Sequence, residues 1–341
     1  MNQNNLPTAE QLTDMCKRYV DSVSNRPYGI IRPHDPVAIQ PHNIGEPSAL
    51  DELMGLTGLD EVKAAIRRQL SYHRIMALRK RRGYKVPVRL LHMLLTGNPG
   101  TGKTTCARLI GRIYKEAGIL SSGHMVEVSR ASLVGEFIGH SEKKVSEKIE
   151  AARGGVLFID EIYSLVEKNS SDTDNKDFGH RVLDTLMPVL SDPASNLMVI
   201  GAGYTSEMKR FLDSNPGLSS RFPLVLDFKD FTIDELIHMA HNHLAKYDFS
   251  LTAEADEKLR KLLVEARKIK NFGNARLVVT LIENHIIPNL CMRLDNNTTT
   301  DNDIDEMSVI IADDIPDISA IAPLQISRRK HVGFSVSSNP S

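Results

Sequence analysis

The sequence predicts an α/β fold: an open parallel sheet of five strands covered by helices on both faces, followed by a smaller, mostly helical subdomain. Three observations carry this. Between residues 90 and 228, short apolar runs of strand length alternate with segments of helical composition, the pattern of parallel strands joined by crossover helices. The first of these runs passes through a glycine-rich turn directly into a helix-like segment. Beyond residue 229, helical patterning takes over, opened by Thr232 with Glu235 and by Thr252 with the acids that follow it.

Strands are expected at 90–96, 125–129, 156–160, 197–202 and 224–228, with helices at 103–117, 141–152, 179–187 and 206–213. In the second part helices are expected at 232–246, 253–269 and 274–294, with short apolar pieces at 249–251 and 309–311 able to pair as a small sheet. Asn296 to Glu306 reads as an acidic loop. The chain divides into a leader (1–47), the sheet-bearing subdomain (48–228), the helical subdomain (229–318) and a tail (319–341) expected to be partly disordered. The leader holds one helix within 6–23 and then five prolines, at 27, 33, 36, 41 and 47, which forbid a long helix. It is either a docking segment or a packed arm.

With 341 residues, 41% hydrophobic and 25% charged, the chain has the makeup of an ordinary globular protein. A formal net charge of -1 gives no global argument for nucleic acid or membrane as a partner. The three cysteines, Cys16, Cys106 and Cys291, form no C-x-x-C pair, which points to a reducing compartment and to neither zinc nor disulfides. A polar N-terminus and the lack of any apolar run of membrane length predict a cytoplasmic protein without a membrane partner.

The glycine-rich turn reads Gly97-Asn98-Pro99-Gly100-Thr101-Gly102-Lys103-Thr104, followed by Thr105. It matches G-x-x-x-x-G-K-[ST], the phosphate-binding P-loop. Glycine lets the backbone curl closely round phosphate oxygens, and inward N–H groups at a helix N-terminus form an anion nest. Lys103 would reach the β- and γ-phosphates, and the Thr104 hydroxyl would sit on Mg²⁺. Downstream, four apolar residues end in Asp160-Glu161. A buried strand would push both carboxylates out beside the P-loop, Asp160 for the Mg²⁺ shell and Glu161 to orient and deprotonate a water.

Other features are less specific. Arg221 follows Asn215-Pro216-Gly217-Leu218-Ser219-Ser220 and precedes a strand. It is either a surface arginine or one that reaches a γ-phosphate held by a neighbouring subunit. Arg276, in Gly273-Asn274-Ala275-Arg276, either leans over the phosphates or simply opens a helix. Phe137 and Ile138 sit between Gly135 and Gly139, as buried residues or as a presented gripping loop. Residues 63–89 carry ten basic side chains and no acid. That run fits an anionic partner or a solvated helix face, and the near-neutral total charge favours the solvated face. His238, His241 and His243 do not share one helical face, which argues against a metal site.

Taken together, 97–104, 156–161 and 215–222 resemble the AAA+ ATPases. Residues 133–140, 154–161, Ala202-Gly203-Tyr204 and 273–276 are similar to the CbxX/CfqX branch, which includes red-type Rubisco activases and stage V sporulation protein K-like ATPases. The resemblance covers roughly 48–318. It implies a P-loop ATPase module with a helical lid, using ATP and Mg²⁺ in a homo-oligomeric ring, usually a hexamer. By that similarity Arg221 is an arginine finger supplied in trans and Arg276 the sensor of the lid. Phe137, with Ile138, is the pore-loop aromatic that grips a polypeptide, and Leu56 flanks the adenine. Gly203-Tyr204-Thr205 stands where the wider superfamily commonly has a polar Asn or Thr sensor, leaving Tyr204 and Thr205 both as candidates. The expected activity is ATP hydrolysis coupled to remodelling or threading an unidentified protein. A nucleic-acid loader using 63–89 and a nucleotide-gated assembly scaffold are the alternatives.

Overall fold

The computed structural model describes residues 47–133, 140–166, 175–269, 272–296 and 306–319. The expected leader helix and connector, the Phe137–Ile138 loop, most of the acidic loop and the tail lie outside the described residues.

Five parallel strands form the sheet: β1 (Met93–Gly97), β2 (Met125–Val128), β3 (Val156–Ile159), β4 (Met198–Gly203) and β5 (Leu224–Phe228), in the order β2-β3-β4-β1-β5. The central strands β1, β3 and β4 are buried throughout because both faces are covered. Met93, Leu95, Val156, Phe158, Met198 and Ile200 point to one core. There they meet α1 (Ala49–Gly55), α2 (Asp60–Arg81) and α3 (Lys103–Glu116) through Leu53, Ile66, Ile110 and Tyr114. The alternate residues Leu94, Leu157, Ile159 and Val199 point to the other core. They pack with the short α4 (Arg130–Leu133), α5 (His140–Ala151), α6 (Asn175–Ser191) and α7 (Thr205–Ser214), through Leu133, Val145, Leu186 and Phe211. Each such side chain, fully buried, contributes about 1.5–3 kcal/mol.

In the sheet-bearing part, three expectations need correcting. β1 starts at Met93, not at residue 90. Opposite Met93 stand Ile200 and Leu224, so the preceding position faces Pro223, which has no N–H to donate. On the β4 side the Val199 N–H goes instead to His92 Nδ1 at 3.0 Å. The helix expected at 179–187 runs from Asn175 to Ser191 and passes through Pro188. Pro188 and Asp184 are both exposed, so the carbonyl left without a donor can meet water, while Leu186 and Leu190 bury on the sheet. Gly179 is not the helix start. A Cβ there would lie 2.2 Å from the Leu165 carbonyl, so the glycine lets α6 close onto the 3₁₀ turn Ile162–Leu165. Finally, α8 (Pro216–Arg221) was not anticipated, although Asn215 caps it by accepting from the Gly217 N–H at 2.9 Å and Pro216 takes its first position.

The helical part has its own core. It is built from α9 (Ile233–Ala245), α10 (Ala253–Arg267), α11 (Asn274–Leu281) and α12 (Ile287–Asn296). Thr232 and Glu235 form a capping box, and Thr252 caps α10. The single helix expected at 274–294 contains a wider π turn, Ile282–Ile286, between α11 and α12. That turn ends two residues before Pro288, which cannot donate to the preceding turn. The small sheet forms as expected, β6 (Ser250–Leu251) pairing in parallel with β7 (Val309–Ile310). Arg293 fixes its far side, donating from Nε and Nη2 to the buried Asp314 carboxylate at 2.9 and 3.0 Å.

Candidate active site

A cavity of about 480 Å³ opens at the carboxyl ends of β1, β3 and β4, where open α/β sheets bind ligands. The P-loop forms its floor. Gly97 has φ +142°, and a Cβ there would lie 2.2 Å from the Phe228 carbonyl. Gly100 has φ +72°, and a Cβ there would lie 2.1 Å from the Gly273 carbonyl. Both positions therefore require glycine. Thr101 is buried and donates through Oγ1 to the Asn98 carbonyl at 2.8 Å, which fixes the bend.

Lys103 opens α3 and donates through Nζ to the Gly97 and Asn98 carbonyls at 2.8 and 2.7 Å. Burial pushes its pKa down to about 8. The Asp160 and Asp230 carboxylates oppose that shift, and the Arg276 guanidinium adds to it. Thus Lys103, Asp160, Asp230 and Arg276 are electrostatic neighbours. Thr104, Thr105, Asp160 and Glu161 all line the cavity. Glu161 is exposed and sits in the left-handed region at φ +49°, where the chain leaves β3, its N–H donating to Asp160 Oδ1 at 3.1 Å. The donor set suits a polyphosphate: a half-buried ammonium, inward backbone at a helix N-terminus, and two carboxylates for a metal and a water.

The helical part closes one side through Ala275, Arg276 and Val279. Of the two sensor candidates, Tyr204 lines the cavity, whereas Thr205 is exposed at the start of α7. Tyr204 packs its ring 6.1 Å from that of Tyr163, beside Gly203. Leu56, Asn98 and Thr101 are not among the lining residues. Leu56 is half-buried against the α1–α3 core, with its carbonyl accepting from Lys63 Nζ. Arg221 is also outside the cavity, tied to Ser191 and Gly217. Each of the three histidines has a partner of its own: His238 with Asn242, His241 with Asp256 and His243 with Glu283. Among the described residues no cluster has a metal-ligand arrangement, and none of the helices is long and apolar enough to cross a membrane.

Sequence reasoning missed Asp230, Asn274, Ala275 and Val279. Asn274 is fully buried at φ +49°. The polar residue inside the Gly273–Arg276 motif was visible, but it does not name its partners.

The model of the ATPase family associated with various cellular activities (AAA) matches residues 93–229, and that of the AAA lid domain matches 232–323. Stage V sporulation protein K of Bacillus subtilis (strain 168) is 40% identical over 238 residues, 69% of this chain and 72% of that protein. The chain belongs to the AAA ATPases, in the CbxX/CfqX family. The chromosomal CbxX protein of Cupriavidus necator is 35% identical over 291 residues, 83% of this chain and 90% of that protein. The crystal structure of the FIGL-1 AAA domain matches with a TM-score of 0.55 at 21% identity, over 80% of this chain and 82% of that one, a likeness of fold alone. As an AAA ATPase with its lid, the protein is an ATP hydrolase.

Proposed function

We propose that the protein works as one subunit of a homo-oligomeric ring, hexameric by analogy with its family, that uses ATP hydrolysis to remodel or thread a protein substrate in the cytoplasm. The αβ ATPase subdomain (48–228) would carry the Walker A and Walker B residues, and the lid (229–318) would move with nucleotide. The observation that carries the ring is the position of Arg221. Its own chain holds it by Ser191 and Gly217, away from its own cavity, which suits a group offered to a neighbour. Thr104 and Asp160 would hold Mg²⁺, which when bound neutralises phosphate charge. Lys103 would orient the β- and γ-phosphates, and Glu161 would hold a water and take its proton onto the carboxylate. Phe137 and Ile138 would contact the threaded polypeptide.

The substrate test uses Glu161→Gln, expected to bind ATP and stall, as a trap for captured proteins. Phe137→Ala should keep basal turnover and lose work on the captured protein. Stimulation of turnover by DNA or RNA and not by protein would overturn this reading in favour of a nucleic-acid motor. A variant lacking Phe137 that still remodels its partner would overturn the pore.

A further inference from the structure

We infer that Asn274 is a positioning residue that couples the phosphate loop to the lid through Asp230, an inference that rests on nucleotide binding at the P-loop. Its side-chain amide makes three bonds that join two separate stretches of chain. Nδ2 donates to the Pro99 carbonyl at 3.2 Å, in the P-loop, and to Asp230 Oδ1 at 2.8 Å, in the connection between β5 and α9. Oδ1 accepts from the Phe231 N–H at 3.0 Å. Asp230 is also held from the P-loop, since Asn98 Nδ2 lies 3.0 Å from both of its oxygens. One residue further along, the Ala275 N–H donates to the Gly100 carbonyl at 3.2 Å. Asn98, Pro99 and Gly100 are thus each tied to the lid or to its connection by a polar contact.

Three features single out the amide as the joint. Asn274 is 0% exposed, so its donors and acceptor cannot exchange their partners for water. Its φ of +49° is unusual for the first residue of a helix, and asparagine is among the few side chains that tolerate it. Carboxylate and amide also suit each other: Asp230 accepts from both Asn98 and Asn274, while its charge reaches Lys103. A change in the backbone at 98–100 therefore moves Asp230 and Asn274 together, and Arg276 stands two residues beyond Asn274 on α11. The lid is thereby set by the same loop that cradles the phosphates.

The test is hydrogen exchange on the full-length chain with and without Mg²⁺·ADP, read at the P-loop (97–104) and at the connection and lid start (229–236 and 273–281). In the wild type both regions should gain protection. Asn274→Gly keeps the backbone conformation and removes the amide, so the P-loop should still be protected while lid protection is lost. Asn274→Asp should behave likewise near neutral pH, because it sets a second carboxylate against Asp230. Adding Asp230→Asn to it restores an amide–carboxylate pair between the two positions, but not the bond to the Pro99 carbonyl, and should restore part of the lid protection. Full ADP-dependent lid protection in both single variants would overturn the inference. Protection confined to the P-loop in the wild type would also overturn it. Absence of protection at the wild-type P-loop would instead defeat the nucleotide reading itself.

Discussion

Arg221 donates from Nε to Ser191 Oγ at 2.8 Å, and that hydroxyl in turn donates to the Met187 carbonyl at 2.7 Å. A second bond, Nη1 to the Gly217 carbonyl at 2.8 Å, fixes the guanidinium plane. Two helices, α6 and α8, therefore aim one arginine. If it completes a neighbour's site, Arg221→Ala should lower turnover by about a thousandfold with nucleotide affinity retained. Ser191→Ala should lower it by only about fivefold, the loss of one hydrogen bond. Mixing Arg221→Ala with Lys103→Ala subunits should restore measurable turnover, because intact P-loops then meet intact arginines. No recovery across mixing ratios would count against action in trans.

The depressed pKa of Lys103 gives a pH signature. Below about 8 the ammonium is charged and attracts phosphate. Bound phosphates raise that pKa, so between the free and bound values binding must take up a proton. Nucleotide affinity should therefore fall as pH rises above about 8, by at most about tenfold per unit. Calorimetry in buffers of different ionisation enthalpy should register the uptake. Lys103→Arg, which does not titrate in this range, should show neither effect.

His92 supplies a second pH dependence, in stability. Burial pushes its imidazole down to about 4, against a weak opposing pull from the Leu190 and Val189 carbonyls. The neutral ring accepts the Val199 N–H. The folded pKa lies below the unfolded one of 6.5, so this contribution is fully present above 6.5 and is lost as pH falls towards 4. The loss amounts to about 3 kcal/mol. Urea unfolding at pH 7.5 and 4.5 should show a larger drop for the wild type than for His92→Asn. Asparagine keeps an acceptor but cannot be protonated there.

In the lid, the Arg293–Asp314 pair makes two parallel bonds, with Asp314 1% exposed. Asp314→Ala removes the buried carboxylate that accepts two bonds from a half-buried guanidinium and should cost about 3 kcal/mol. Replacing both by apolar residues, Arg293→Met with Asp314→Leu, should recover much of that. Thermal melts of the wild type and the two variants decide it, and equal melting temperatures for the single and double variants would contradict the assignment.

The three central strands were legible because burial on two faces writes them as nearly continuous apolar runs. β5 was found to the residue, with exposed Val225 and Asp227 alternating with buried Leu226 and Phe228. Their order was not legible, since an apolar run such as Val156–Ile159 does not name its neighbours. In the site, Lys103, Thr104, Asp160 and Glu161 could be read because their chemistry is local to a turn or a strand end. Asn274 and Asp230 could not. Their meaning depends on bonds across 175 residues to Pro99 and 132 to Asn98, and no short pattern encodes such a meeting. His92 looked like one more residue of an apolar run, because its bond to Val199 spans 107 positions.

Glu161 adopts φ +49°, a backbone region that costs a non-glycine residue about 1 kcal/mol or more. The carboxylate that would activate water therefore sits where the chain is under tension, and that tension turns it off the end of β3 towards the cavity. Glu161→Gly should relax the turn and raise the melting temperature while abolishing turnover. If Glu161 activates the water, selection for durability alone would tend to erase it, and its presence would then mark selection for work.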